Sequence, residues 1–99
     1  MIIGVVIKQP WEVLDYDIDC RPAYNADGDT DKVVDVAWNV IPDEPGGLEV
    51  EAFVMGEDFI KCWFYGGNDD VDYMVEVYVT TQAGRLKEDE IDVRIREIE

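Results

Sequence analysis

Alternation of apolar and polar positions runs through most of this chain. Val34, Val36, Trp38 and Val40 fall on one side of a run whose other side carries Asp35, Ala37 and Asn39. That is the period-two signature of a half-buried strand. Pro42 and the Glu44-Pro45-Gly46-Gly47 stretch end it with turn chemistry. Leu48, Val50, Ala52 and Val54 then alternate with Glu49, Glu51 and Phe53 up to Gly56. Phe59 to Tyr65 predicts an aromatic-rich strand, closed by Gly66-Gly67-Asn68-Asp69-Asp70. Tyr73, Val75, Val77 and Val79, opposed by Met74, Glu76, Tyr78 and Thr80, predict the clearest strand of all. Gln82-Ala83-Gly84-Arg85 supplies the next turn, and Ile91, Val93 and Ile95 the last strand. Near the start, Leu14-Asp15-Tyr16-Asp17-Ile18-Asp19-Cys20 alternates with its acids outward.

Ile2 to Ile7 predicts an edge strand or an arm that pairs elsewhere, with Pro10 marking the break that follows. No segment of useful length has a helical period. Short strands with turns between them predict an all-β fold: an immunoglobulin-like antiparallel β-sandwich of about seven strands. Residues 13–99 are expected to form the sandwich and residues 1–12 a strand or arm, within one domain overall. Val36, Trp38, Val75 and Val77 are expected in the core, on facing sheets.

A chain of 99 residues can bury one core without staples, and 47% hydrophobic content excludes disorder. Apolar runs of only a few residues are too short to cross a bilayer. Met1 opens directly onto the Ile2–Ile7 run with no basic segment before it, so secretion is not expected. The 24 acidic residues outnumber 8 basic ones and histidine is absent, giving a net charge of −16. Such a field repels nucleic acid and anionic lipid, so neither is an expected partner. Both halves of the chain are acidic, which reads as solvated faces rather than a tail. Cys20 and Cys62 match no metal spacing, and without histidine mixed zinc sites are excluded. They are expected as buried or half-buried free thiols, a cross-sheet disulfide being the alternative.

Candidate chemistry is sparse. Asp27, Asp29 and Asp31 place carboxylates on alternate positions, as a hard cation needs. Against the EF-hand pattern the loop fails: Gly28 comes too early and Val36 stands where the bidentate glutamate belongs. An acidic turn is the plainer reading, and the same holds for Asn68-Asp69-Asp70-Val71-Asp72. Nucleophile–base pairs lack a histidine base, and Gly66-Gly67 has no lysine or helix after it to cradle phosphate. Neither catalytic residues nor a cofactor are expected. Trp11, Trp38 and Trp63 could line a carbohydrate or peptide groove, although sandwich tryptophans are more often buried.

Two stretches carry a family likeness. The first is Leu14-Asp15-Tyr16-Asp17-Ile18-Asp19 followed by Gly28-Asp29-Thr30. The second is Tyr65-Gly66-Gly67, then Tyr73-Met74-Val75-Glu76-Val77, then Thr80-Thr81-Gln82-Ala83-Gly84-Arg85 and a closing β run to Ile95. From about Leu14 onward the chain resembles small bacteriophage proteins described as fibre–tail adaptor or minor virion proteins with an immunoglobulin-like fold. The resemblance implies a structural component of the virion, made in the host cytoplasm, that docks to tail, neck or fibre proteins. It marks Asp15, Tyr16, Asp17, Asp19, Gly28, Asp29, Thr30, Gly66, Gly67, Tyr73, Thr81, Gly84 and Arg85 as motif residues. Homo-oligomerisation is compatible with that role. Two other classes fit the residues: a calcium- or carbohydrate-binding module, and an acidic nucleic-acid mimic directed at a basic protein.

Overall fold

The computed structural model describes residues 2–21 and 31–97. Its strands are β1 (Ile2–Lys8), β2 (Leu14–Asp19), β3 (Val33–Ile41), β4 (Leu48–Met55), β5 (Phe59–Gly66), β6 (Asp72–Thr81) and β7 (Leu86–Ile95). They form a four-stranded sheet, β1-β7-β6-β3, and a three-stranded sheet, β2-β5-β4. Lettered A to G in chain order, the sheets are A-G-F-C and B-E-D. That is an immunoglobulin partition with the first strand moved beside the last. Every ladder is antiparallel except β1–β7, which is parallel. The expected antiparallel sandwich of about seven strands is present, with β1–β7 as its parallel pair. No hairpin links these two strands, so the constraint that makes neighbours in sequence antiparallel does not apply to them.

The core lies between the sheets. Tyr73, Val75, Val77 and Val79 of β6 and Ile91, Val93 and Ile95 of β7 are buried against Ile18, Val50, Ile60, Cys62 and Phe64 of the opposite sheet. Each such side chain contributes about 1.5–3 kcal/mol on full burial. At one side of the sandwich β1 lies over β2 so closely that a β-carbon on Gly4 would stand 2.6 Å from the Tyr16 hydroxyl. Tyr16 uses that hydroxyl to donate to the Ile3 carbonyl at 3.0 Å. The β1 segment, expected as strand or arm, is thus part of the four-stranded sheet.

Trp38 departs from expectation. It pairs with Val77 and so points to the inner face, yet it is 40% exposed, and its neighbours Val36 and Val40 are only half buried. Strand β3 is the edge of the wider sheet, and three strands cannot cover four. Val36, Trp38, Val75 and Val77 also share one sheet instead of facing each other. Val34, expected beside them, falls at a register shift between Val33 and Asp35 and is exposed.

Strand β7 begins five residues before the expected Ile91. Its inner positions open with Lys87 and Asp89, whose side chains lie 2.7 Å apart with Asp89 buried. The pair is close but poorly aligned, since Asp89 Oδ2 has no hydrogen-bond partner among the described residues. An ion pair at inner positions interrupts the apolar alternation and hides the strand from the sequence.

Candidate docking face

The outer face of the three-stranded sheet is built from alternate residues of β2, β5 and β4. Strand β5 is apolar on both sides: Ile60, Cys62 and Phe64 turn inward, leaving Phe59, Lys61, Trp63 and Tyr65 outward. Register places Asp15 beside Trp63, Asp17 beside Lys61 and Asp19 beside Phe59. On the other flank Glu49 pairs with Tyr65, Glu51 with Trp63 and Phe53 with Lys61. The result is an aromatic column on β5, joined by Phe53, between two acidic rails.

Cations already sit on this column. Lys61 Nζ lies 2.8 Å from Asp15 Oδ2 and 2.9 Å from Asp17 Oδ1, and 5.6 Å from the Trp63 ring centroid. Arg21 pairs with Asp19 at 2.8 Å and lies 5.1 Å over the Phe59 ring. The hydrogen bond from Lys61 holds the Asp15 carboxyl below its ordinary range. Bonds from the Arg21 side chain and backbone lower Asp19 to about 2. Hydrogen bonds to Asp15 and Asp17 correspondingly raise Lys61. Burial, then Glu51, pushes up the Tyr65 phenol, which donates to Glu51 Oε2 at 3.4 Å. Exposed pairs of this kind contribute roughly 0–1 kcal/mol each to stability. Their arrangement is a cation stacked on an aromatic ring and held by a carboxylate, formed twice on this face by the chain's own residues.

Other motif residues converge at the two ends of the sandwich. At one end the Asp31 carboxylate, nearly inaccessible, accepts from Lys32 N at 2.9 Å, Ala83 N at 3.0 Å and the Arg85 guanidinium at 2.6 Å. Burial opposes the charge, but these bonds and one from Thr81 outweigh it, so Asp31 lies far below the usual range. Arg85 N donates to Thr81 Oγ1 at 3.1 Å and Gly84 turns the chain at φ 91°. The Thr81–Arg85 motif is therefore a clamp between the β6–β7 hairpin and the start of β3. Gly28, Asp29 and Thr30, with Asp27, lie outside the described residues.

At the opposite end Tyr73 donates to Glu44 Oε1 at 2.7 Å and accepts from Asn68 N at 2.9 Å. A tyrosine at the start of the sixth strand, bonded back to the preceding corner, is an immunoglobulin hallmark. Gly67, at φ 99°, has room for no side chain: a β-carbon there would meet Ile95 at 2.7 Å. Buried Lys8 donates to the Gly66 and Gln9 carbonyls. Arg96 pairs with Asp72 at 2.7 Å and Asp69 accepts from Glu97 N, so the second acidic loop anchors the chain after β7.

Among the described residues no group of three or more candidate ligands is arranged to hold a metal. Cys20 and Cys62 are free and buried. Burial pushes Cys62 up to about 12 and also raises Cys20, leaving both thiols protonated and unreactive. Trp38 and Trp63 do not share a groove, since they lie on opposite sides of the three-stranded sheet. Trp11 sits in the β1–β2 connection, 73% exposed.

This outer face was not singled out from the sequence, although a signal exists: odd positions 59–65 read Phe, Lys, Trp, Tyr while even positions are also apolar. In a two-layer sandwich only one side of a strand meets the core. A strand apolar on both sides therefore leaves an apolar side outside the core, the kind of patch that marks an interaction surface.

No curated protein matches the chain significantly. A family model does: residues 8–94 match the family described as podophage GP4 fiber-tail adaptor protein gp77. The match spans β2 to β7 almost whole, together with both clamped ends, and the chain belongs to this fiber-tail adaptor family.

Proposed function

We propose that this chain is a non-enzymatic structural component of a podophage virion, joining fibre to tail by protein–protein docking through the outer face of β2-β5-β4. The observation that carries the reading is the aromatic column of Phe59, Trp63, Tyr65 and Phe53 framed by Asp15, Asp17, Asp19, Glu49 and Glu51. Aromatic anchors with a charged rim are the composition of a protein interface. The rails select a basic partner surface bearing arginine or lysine. In this reading β1 (Ile2–Lys8) acts as a strand of the same domain. Mass spectrometry of purified particles is the test: the chain is expected at stoichiometric abundance, and its absence from the particle overturns the role.

A further inference from the structure

The Lys8 carbonyl accepts from Arg96 N at 2.9 Å, so the peptide groups of Lys8 face the β7 side. Ile95 N donates to the Val71 carbonyl, turning the intervening β7 groups toward β6, as a regular ladder requires. Because successive residues of a strand point their peptide groups to opposite edges, those of Gly4 and Val6 also face β7. The groups of Ile3, Val5, Ile7 and Gln9 face the open edge.

The ends of that edge are capped by the chain itself. Tyr16 donates to the Ile3 carbonyl, and Gln9 N donates to Glu12 Oε1 at 2.7 Å. Between them, Val5 and Ile7 present N–H and C=O groups with no partner among the described residues. Their side chains are 50% and 59% exposed. Exposed apolar side chains on an uncovered edge strand are what soluble proteins ordinarily avoid. Ile2, Trp11 and Val13 extend the exposed apolar character along the same segment.

We infer that the Val5–Ile7 edge of β1 accepts an extended segment of another virion protein, which adds as a fifth strand to the β1-β7-β6-β3 sheet. The main-chain groups select an extended peptide, and Val5 and Ile7 select apolar side chains at alternate positions of it. The net charge of −16 repels a second copy and attracts a segment whose other positions are basic. The inference deepens the docking role proposed above and rests on it. It concerns a separate edge from the aromatic face, so the two can fail independently.

Amide hydrogen exchange on the isolated full chain tests it. Val5 and Ile7 amides are expected to exchange fast, and those of Gly4, Val6 and Lys8 slowly. A synthetic peptide alternating valine and lysine is expected to slow Val5 and Ile7 by about tenfold or more. The same peptide with alternate backbone nitrogens methylated should leave them fast. Val5→Pro and Ile7→Pro remove donors that point away from β7, so both should abolish peptide protection with little change in Tm. Val6→Pro, which removes a ladder donor, should lower Tm sharply. Three results overturn the inference: no slowing by the peptide, equal slowing by the methylated peptide, or protection of Val5 and Ile7 through dimerisation of the chain alone. Particle incorporation and peptide protection are read separately, so failure of the virion role and failure of the edge are told apart.

Discussion

The two outer faces of this sandwich spend their charge differently. On β2-β5-β4 the carboxylates stand at the margins, several neutralised by Lys61 and Arg21, and the centre is aromatic. On β1-β7-β6-β3 the centre itself is acidic: Glu76 pairs directly with Glu90, Tyr78 with Glu88 and Met74 with Asp92. Like charges placed opposite each other weaken a sheet, whereas an aromatic column ringed by paired charges is a surface ready to be covered. A net charge of −16 therefore has two consequences, keeping one face in solvent and, in the proposed role, orienting the other toward a cationic partner.

The largest expected effect separates the faces by docking. Trp63→Ala with Phe53→Ala should abolish particle incorporation while the isolated domain remains folded. Tyr78→Ala with Leu86→Ala, exposed on the other sheet, should incorporate normally. Equal loss from both pairs, measured by quantitative mass spectrometry of particles, would remove the distinction.

Next come adjacent residues on β5 that point opposite ways. Phe64 is fully buried, so Phe64→Ala is expected to cost about 3–5 kcal/mol in denaturant unfolding. Trp63→Ala should cost roughly 1 kcal/mol, mostly the lost Lys61 contact. Trp38→Ala belongs with the second, near 1 kcal/mol, because the edge position leaves it uncovered.

That pair of neighbours also shows what the sequence reveals. Period-two alternation locates the strands because one side of each meets the core, and the turns carry Gly, Pro, Asn and Asp. Burial along an edge is not written in alternation: Trp38 sits at an inner position like Val77, and only the widths of the two sheets expose it. Parallel pairing of β1 with β7 likewise depends on contacts across nearly the whole chain. The Thr81–Arg85 and Gly66-Gly67 motifs were visible as turns, but the ties of Arg85 to Asp31 and of the Gly66 carbonyl to Lys8 arise only when distant segments meet.

Acid should affect the paired carboxylates in a defined order. Asp19, at about 2, and Asp31, lower still, lie below their unfolded values near 4. Depressed carboxylates contribute stability that is fully present above the unfolded value and lost as pH falls through the folded one. Tm is therefore expected to hold or rise from neutral pH toward about 4 as self-repulsion eases, then fall. Asp31→Asn should blunt the acid limb, and Arg21→Gln should return Asp19 toward 3.8 in an NMR titration. An unchanged Asp19 would mean that Arg21 does not hold it.

The smallest expected effect lies on the acidic face. Glu90→Lys converts a like-charge cross-strand pair with Glu76 into an attractive one and should stabilise by about 0.5 kcal/mol at low salt. Added sodium chloride should raise the wild-type Tm and shrink that gain.

The central claim is that the β2-β5-β4 face is the one covered in the particle. Hydroxyl-radical footprinting of free and virion-assembled protein tests it within a single molecule. The account predicts that Phe53, Trp63 and Tyr65 lose reactivity on assembly while Tyr78 and Leu86 keep theirs. Protection of Tyr78 and Leu86 with Trp63 left reactive would contradict it.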